Sequence, residues 1–488
     1  MLKIGKQALT FDDVLIQPAN SNVLPDQVDL KSSITSDISL KIPLMAAAMD
    51  TVSEAPMAIA MAQLGAIAVL HRNMDADMQA SHVRQVKRFE SGMVVNPITI
   101  ESNKTLADAQ ALMARHGITG IPVLAPRSKK LVGILTNRDV RFAGEPLQKV
   151  SELMTKRNLV TVPEHISRDD ARRLLHRHRI EKLLVCDDKK HCIGLITVRD
   201  IERSTSYPQA NKDAQGRLMV AAAIGVGTNE LERAQTLIHA GCDLLVVDTA
   251  HGQSDKVLRH IEKLKKIYPQ TPVMGGNVAT PSGTQALIDA GCDAVKIGIG
   301  PGSICTTRII AGIGVPQLSA IMECHEIAKK YNVAIIGDGG IKFSGDIAKA
   351  IAGGASAVMV GSLLAGTDES PGEVFLFQGR SYKSYRGMGS MSAMAKGSAN
   401  RYFQEKVEDH SQYISEGVEG RVPVRGAVSG IVQQLMGGLR ASMGYIGCKT
   451  IAEMQEKAVL RPITNAGLKE SHVHDITLTR EPPNYRIS

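Results

Sequence analysis

Short apolar runs recur along the chain, and each follows a turn of small residues. Three of them share one pattern: HAGCDLLVVDT at 239–249, DAGCDAVKIGI at 289–299 and AGGASAVMVGS at 352–362. A short apolar run bounded by turn residues is typical of a buried parallel strand. Helix-like stretches at 229–240 and 282–290 separate these runs, so strand and helix alternate.

Eight runs of this kind give the predicted strands. They lie at 43–49, 65–70, 218–224, 244–248, 272–277, 294–298, 333–338 and 356–361. Eight alternating strand and helix units predict an α/β fold, a (β/α)8 TIM barrel. An open, doubly wound sheet is the alternative that the same pattern allows.

A second repeat, of different character, lies within residues 93–205. GILTNRDV at 133–140 and GLITVRDI at 194–201 recur 61 positions apart, each after an amphipathic helix and a strand. Two similar units of this size predict a compact inserted module that interrupts the barrel after its second strand and helix. The predicted parts are therefore 1–92 and 206–488 for the barrel, and 93–205 for the insert.

Composition and charge narrow the function classes. The net charge of +8 is small for 488 residues and is dispersed, so nucleic-acid binding as a primary role is not indicated, whereas a phosphate-bearing small molecule suits it. The seven cysteines have no CxxC spacing, which argues against a disulfide framework or a structural zinc site. There is no apolar signal core at the N-terminus and no apolar stretch of about 20 residues, so we expect a soluble, cytoplasmic protein without a membrane partner.

Glycine turns at two predicted strand ends suggest a phosphate site. No GxGxxG motif follows a strand with an acidic residue at the required distance, so a Rossmann domain is not supported. Barrels instead hold phosphate on backbone N–H groups at the ends of the last strands, where DGGI (338–341) and VGSL (360–363) lie. The alternative is that these glycines only permit tight turns.

Asp248 closes the fourth predicted strand. Its carboxylate could accept hydrogen bonds from a ribose diol. It could equally cap the helix predicted to begin near Ser254, because Asp is favoured at helix starts.

The segment KIGIGPGSICTTRI at 296–309 follows the sixth predicted strand and surrounds one thiol with glycines and hydroxyls. A thiol at a barrel rim attacks electrophilic carbon once it is ionised, which makes Cys305 a candidate nucleophile. An isolated cysteine is more often a small buried hydrophobe, and Cys242 and Cys292 in the AGCD repeat keep that interpretation.

Several motifs together resemble the IMP dehydrogenase family over essentially the whole chain. They are GIGPGSICTTR (298–308), DGGI (338–341), GSLLAGTDESPGE (361–373), SYRGMGS (384–390), KGSANRYFQ (396–404) and GLKESHVHDI (467–476). The insert resembles a tandem pair of CBS domains (a Bateman module), the nucleotide-sensing module of this family.

The resemblance implies oxidation of IMP to XMP with NAD, through a covalent thioimidate on Cys305 that water then hydrolyses. The matching catalytic positions are Cys305, Thr307, Arg401 and Tyr402. The substrate would meet Ser303, Asp338, Gly340, Gly361, Ser362, Tyr385, Met388, Gly389 and Glu416, and NAD would meet Asp248, Asn277, Gly298 and Gly300.

A mobile flap carries Arg401 and Tyr402 in this family. By residue type alone Arg401 would be a surface charge, and an arginine is an awkward base because it keeps its proton, so a route through Thr307 and Glu416 is the alternative. Val424, after the flap, stands where many relatives carry tyrosine, which leaves flap docking open.

The family also binds a monovalent cation, usually potassium, and forms tetramers that can pair into octamers. The matching cation positions are Gly300, Gly302 and Cys305 in the cysteine loop, with Glu470, Ser471 and His472 supplied by a neighbouring subunit. The insert would bind ATP or GTP, with Asp139 and Asp200 as candidate ribose ligands. The alternative is that each of these two aspartates caps the helix after its strand.

Two other functions stay open. A GMP reductase shares the barrel and the cysteine loop, but we expect that family to lack the insert and the Arg–Tyr pair. A nucleotide-sensing regulatory protein with an inactive barrel is the other, and the presence of Cys305, Thr307, Arg401 and Tyr402 argues against it.

Overall fold

The eight predicted strands close into one parallel barrel, so the open, doubly wound sheet is wrong. The computed structural model describes residues 4–89, 94–95, 97–163, 166–198, 201, 207–404 and 409–485. The barrel strands, numbered first to eighth below, are Leu44–Ala46, Ile67–Leu70, Ala221–Ile224, Leu244–Asp248, Val273–Val278, Ala294–Ile297, Ala334–Asp338 and Ala357–Val360.

Helices follow the strands in alternation, as a parallel barrel requires. Those after the first seven strands are Ala55–Gln63, Ala76–Arg88, Thr228–His239, Asp255–Ile267, Pro281–Asp289, Gln317–Ala328 and Ser344–Ala352. Short helices Thr307–Ile310 and Ser362–Ala365 stand directly after the sixth and eighth strands, and Met391–Ala395, Val428–Tyr445, Ile451–Lys457 and Asn465–Ser471 come later. Single 3-10 turns lie at Phe11–Asp13, Pro25–Gln27, Lys329–Tyr331, Ser398–Tyr402 and His410–Gln412.

Side chains fill the barrel interior. Alternate residues of each strand point inward, for example Leu244 and Val246, and these positions form one buried apolar cluster. Cys242 and Cys292 are buried, as predicted. The apolar interior is therefore a packed core, and polar chemistry is confined to the strand ends.

In the described part of the barrel unit, three smaller sheets accompany the barrel. Val374–Phe377, Arg380–Arg386 and Glu419–Pro423 form an antiparallel sheet that the strand pattern did not predict. Val14–Ile16 pairs with Leu460–Pro462, and Ser32–Ser33 pairs with Ser39–Leu40.

The chain divides into two compact units. The barrel unit comprises Met1–Lys87, Gln209–Asp213 and Leu218–Ser488, and the second unit comprises Arg88–Pro208 and Ala214–Arg217. The second unit holds both copies of the internal repeat, and each copy has its own apolar core. Its strands are Val94–Val95, Ile100–Glu101, Gly120–Leu124, Leu131–Thr136, Thr161–Val162, Lys182–Cys186 and Cys192–Thr197; its helices are Leu106–His116, Asn137–Val140, Val150–Leu153 and Arg168–His178.

A search of the described residues for a helix with the length and apolarity of a membrane span finds none.

Candidate active site

The carboxyl ends of the barrel strands surround a cavity. Its position is the one that barrel enzymes use. Twelve of the predicted site residues line it: Asp248, Asn277, Gly298, Gly300, Gly302, Cys305, Asp338, Tyr385, Met388, Arg401, Tyr402 and Glu416.

The thiol of Cys305 lies in this cavity, half-buried, with its Sγ 3.1 Å from the Oγ1 of Thr307. The loop is held from the other side by the segment around Glu416, whose carbonyl accepts a hydrogen bond of 2.9 Å from the Thr306 N–H. The Glu416 N–H in turn donates to the Gly389 carbonyl at 3.0 Å. Three segments that are distant in sequence therefore meet at the thiol.

A buried lysine joins the two aspartates of the cavity. The Nζ of Lys296 lies 3.0 Å from Asp248 Oδ1 and 2.7 Å from Asp338 Oδ2, and it also donates to the Asn277 side-chain oxygen. Lys296 is only 1% exposed. One buried cation beside two carboxylates offsets much of the cost of removing these charges from water.

Strand alternation explains why these side chains meet. Residues two apart on a strand face the same side, so Asp248 follows Val246 inward and Lys296 follows Ala294. Asn277 lies at a register shift between the fifth and sixth strands, and such an irregularity turns a side chain that strict alternation would point outward. The Asn277 amide reaches Asp338 Oδ2 at 2.9 Å.

Arg401 forms an ion pair with Asp248 and is partly buried, so the surface charge that its residue type suggests is wrong. Its carbonyl accepts a hydrogen bond of 3.1 Å from the Ala250 N–H. Burial raises the pKa of the neighbouring Tyr402, so its phenol stays neutral at physiological pH. Both side chains face the cavity that contains Cys305.

Gly340 follows the seventh strand, and Gly361 and Ser362 follow the eighth, whereas Ser303 belongs to the cysteine loop and Tyr385 to the strand Arg380–Arg386. Burial raises the pKa of Tyr385 to about 12, and a hydrogen bond with Ser303 opposes the shift. Gly361 approaches so closely that a Cβ there would lie 3.0 Å from the Tyr385 hydroxyl. Gly340 has a φ of +82°, so its turn also requires glycine. Ser362 begins the short helix Ser362–Ala365 and lines a second cavity instead of the first.

Two capping alternatives have different outcomes. Ser254 occupies the N-cap position of the helix that begins at Asp255, so Asp248 does not cap that helix. Asp139 does cap the helix Asn137–Val140, although it stands at the third helical position and Thr136 occupies the N-cap. Its Oδ2 accepts hydrogen bonds of 2.7 Å from the N–H and from the hydroxyl of Thr136. Asp200 lies outside the described residues.

The predicted C-terminal cation residues do not line the cavity of this chain. Glu470 and Ser471 end the helix Asn465–Ser471 and are exposed, and His472 lines the second cavity, where its Nδ1 lies 3.0 Å from the Tyr485 hydroxyl. Among the described residues, no group of three or more His, Cys, Asp and Glu side chains could hold a metal ion.

Sequence reasoning missed Lys296 and a second charged group beside the cavity. The sequence does indicate Lys296, because it is a lysine inside the apolar run AVKI. A strand in a barrel is buried on both faces, so a charged residue within such a strand needs a partner. In the second group, Arg386 and Asn73 donate hydrogen bonds to Asp50. Burial would raise the pKa of Asp50, but these hydrogen bonds hold it below its ordinary value.

Fold and site together define a (β/α)8-barrel enzyme whose thiol shares a cavity with a buried cation and strand-end glycines. The chain belongs to the IMP dehydrogenase / GMP reductase domain family, whose profile matches residues 8–474. The inosine-5'-monophosphate dehydrogenase of Rhizobium tropici is 60% identical, over 97% of this chain and 95% of the relative. That of Escherichia coli K12 is 53% identical over the full length of both chains.

A solved structure corrects one expectation. A GMP reductase from Trypanosoma brucei, in complex with guanosine 5'-monophosphate, superposes with a TM-score of 0.88 at 38% identity. The match covers 97% of this chain and 98% of that one, so the reductase has a counterpart of the insert. The expectation that reductases lack the insert is therefore wrong, and the insert does not separate the two activities.

Proposed function

We propose that this chain oxidises IMP to XMP with NAD as the hydride acceptor, in guanine nucleotide synthesis. The observation that carries the proposal is the meeting of the Cys305 thiol, the Arg401–Asp248 pair and the strand-end glycines Gly298 and Gly339 around one cavity. The relatives at 53% and 60% identity have the same activity in their names.

In the proposed reaction the thiolate of Cys305 adds to C2 of the hypoxanthine ring. Loss of hydride from C2 to NAD then leaves a thioimidate between Cys305 and the purine, and addition of water to C2 releases XMP and the thiol. The Thr307 hydroxyl, 3.1 Å from Sγ, is placed to exchange the thiol proton.

We assign the base and ribose to the cavity and the phosphate to residues around the ends of the sixth, seventh and eighth strands. The phosphate would lie near Ser303, Gly340, Gly361, Ser362 and Tyr385, the ribose at Asp338, and the base at Met388, Gly389 and Glu416. NAD would contact Asp248, Asn277, Gly298 and Gly300, all of which line the same cavity. NAD would supply the hydride acceptor, and these residues would hold and orient it.

Water activation has two candidate routes. Arg401 is engaged in an ion pair with Asp248, so its use as the base requires that this contact be broken first. The Thr307–Glu416 route needs no such change, because both residues already lie beside the thiol. Comparison of the pH profiles of Arg401→Lys and Thr307→Val distinguishes them, since only the variant of the working base shifts the pH dependence of hydrolysis.

We further infer a potassium site and an oligomer. The carbonyl oxygens of Gly300, Gly302 and Cys305 suit a hard monovalent cation, although the Gly302 carbonyl already accepts the Cys305 N–H at 3.1 Å and has one lone pair left. Residues 470–472 lie elsewhere on this chain, so only a second copy could complete the site. We propose a homotetramer that pairs into an octamer, in this family's manner, and light scattering with and without potassium tests this assembly.

For the insert we propose a CBS pair that binds ATP or GTP and adjusts activity or assembly. Asp139 is the described ribose candidate, because it follows the strand Leu131–Thr136 as the family's pattern requires. Calorimetry of the full chain with ATP, GTP and AMP tests the proposal, and no heat with any of them overturns it. We also propose a cytoplasmic location, and the seven free cysteines support it because a reducing compartment keeps thiols unpaired.

The decisive assay compares two substrate pairs. The purified protein should form NADH, followed by absorbance, from IMP and NAD, and Cys305→Ala should abolish it. Activity with GMP and NADPH but none with IMP would assign the chain to the reductase, the second candidate that the Trypanosoma brucei match favours. Retained nucleotide binding at the insert without either reaction would favour a regulatory protein.

A further inference from the structure

Two cysteines of the second unit stand directly opposite each other on neighbouring antiparallel strands. Cys186 ends the strand Lys182–Cys186, Cys192 begins the strand Cys192–Thr197, and the two are cross-strand partners. Residues paired in this way point to the same face of the sheet. Both thiols are half-buried, so each has some access to solvent.

The turn between them sets their separation. The Asp187 N–H donates to the His191 carbonyl at 3.1 Å, and the Lys190 N–H donates to the Asp187 carbonyl at 3.0 Å, with Lys190 at a φ of +64°. Beyond this turn Cys186 and Cys192 form the next cross-strand pair, at a register shift between Val185 and Cys186. Cα atoms of residues that stand opposite each other on antiparallel strands lie about 4.5–5.5 Å apart, which is inside the range of about 4.4–6.8 Å that disulfides span.

The first repeat contains the same hairpin without the thiols. There Leu124 and Leu131 are the cross-strand partners, at the same kind of register shift, and Lys129 takes the positive φ of +54°. Because leucines serve this position in one copy, the hairpin does not require cysteine in the other. The chain therefore contains its own comparison for the effect of the cysteine pair.

The pair lies at the seam between the two repeats. Cys192 packs against a small cluster built from Ile134 of the first repeat and Leu184 and Leu195 of the second. The Leu131 N–H also donates to the Lys190 carbonyl at 2.9 Å. A covalent bond between the cysteines would therefore fix a hairpin that both repeats contact.

We propose that Cys186 and Cys192 are an oxidation site that forms a reversible disulfide and stiffens the seam between the repeats. With a peroxide as oxidant, one thiolate attacks a peroxide oxygen, which gives a sulfenic acid and releases water. The second thiolate then attacks the sulfenic sulfur, forming the S–S bond and releasing a second water. Two electrons and two protons leave the thiols in all, and a small dithiol reverses the reaction.

Burial sets the speed of this reaction. It raises the pKa of Cys186 and raises that of Cys192 to about 12, so both are protonated at neutral pH. Because thiolates are the reacting species, bridge formation should accelerate about tenfold per pH unit between pH 7 and 9. Brief exposure of the protein to peroxide should leave the pair reduced, and sustained exposure should join it.

Trypsin makes the bridge directly visible, because it cleaves after Lys189 and Lys190, between the two cysteines. The full chain is treated with peroxide at pH 7 and pH 9, blocked with iodoacetamide and digested. We expect residues 183–189 and 191–199 as one joined species, two hydrogens lighter than their sum, which dithiothreitol separates. Amides of the hairpin should exchange roughly tenfold more slowly, or more, when the bridge is present.

Cys186→Leu/Cys192→Leu, which copies the first repeat, is the matched control; it should give no joined species and keep the wild-type rate of NADH formation. The reverse graft, Leu124→Cys/Leu131→Cys in that variant, should join the first hairpin. Separate peptides from the oxidised wild type, with alkylated or oxygenated cysteines, overturn the proposal. Peptides joined between two chains, seen as a dimer on a non-reducing gel, also overturn it.

Discussion

Lys296 is the residue on which the charges of the cavity depend. It is buried between Asp248 and Asp338, at 3.0 and 2.7 Å, and removing it leaves two carboxylates with less compensation in a region of low dielectric. We expect Lys296→Met to lower the free energy of unfolding by about 3–5 kcal/mol.

Urea unfolding measures this loss, and Lys263→Met is the control, because Lys263 is exposed on a helix and its loss should change stability by less than about 0.5 kcal/mol. Equal midpoints for the two variants would contradict the role assigned to Lys296.

Gly361 tests the proposed phosphate site. A Cβ there would stand 3.0 Å from both the Tyr385 hydroxyl and the Met49 sulfur, so Gly361→Ala must displace one of them. We expect KM for IMP to rise about tenfold, because such overpacking costs about 1–3 kcal/mol, with a smaller change in kcat.

Steady-state kinetics measure the effect. Gly345→Ala, whose added Cβ meets nothing within 4 Å, is the matched control and should leave KM unchanged. An unchanged KM in Gly361→Ala would place the phosphate elsewhere.

Tyr385 should make the protein sensitive to alkali. In the unfolded chain its phenol ionises near pH 10, whereas in the fold burial raises the pKa to about 12. The folded state therefore binds the proton more tightly, and the stability from this residue is complete below pH 10 and is lost as pH rises toward 12. The loss amounts to about 3 kcal/mol at most.

The free energy of unfolding of Tyr385→Phe should fall less steeply with pH over this window, as measured by unfolding followed by circular dichroism. Tyr445→Phe, at a tyrosine that is 72% exposed, should behave as wild type. Parallel curves for wild type and Tyr385→Phe would refute the assignment.

Among the elements, the barrel strands were the most predictable. Each is a run of Ala, Val, Ile, Leu and Met between glycine turns, and burial on both faces makes such runs distinct. The antiparallel sheet around Val374–Phe377 was missed, because its apolar side chains are exposed and follow no alternation toward the core. The hydrophobic pattern therefore predicts strands that are buried in the core better than strands that are exposed to solvent.

The helix at Asn137–Val140 contains Asp139, the proposed nucleotide ligand of the insert. Asp139 caps it, and removal of such a cap costs about 1 kcal/mol. Asp108 has the same capping contacts on the helix Leu106–His116, with bonds of 3.0 and 2.9 Å to Thr105, but it does not follow the strand of the proposed nucleotide site.

We therefore expect Asp139→Ala and Asp108→Ala to destabilise the insert equally, and only Asp139→Ala to weaken ATP or GTP binding, by tenfold or more. Calorimetry and thermal unfolding of the two full-length variants measure both effects. Equal nucleotide affinity in both would leave Asp139 with its capping role alone.

At the scale of the whole molecule, the site depends on contacts that local sequence does not encode. The cysteine loop and the strand-end glycines could be predicted, because their motifs are local. The pairing of Arg401 with Asp248, and the inward turn of Asn277 at a register shift, join residues far apart in the chain. They become visible only once the strands are closed into a ring.

The central claim is that Cys305 bonds covalently to the purine during turnover. The protein is mixed with IMP and NAD, quenched in acid within the first turnover and digested, and the peptide 297–308 is weighed. We predict that this peptide gains the mass of IMP less two hydrogens. An unmodified 297–308 peptide in a sample that has formed NADH would contradict the mechanism.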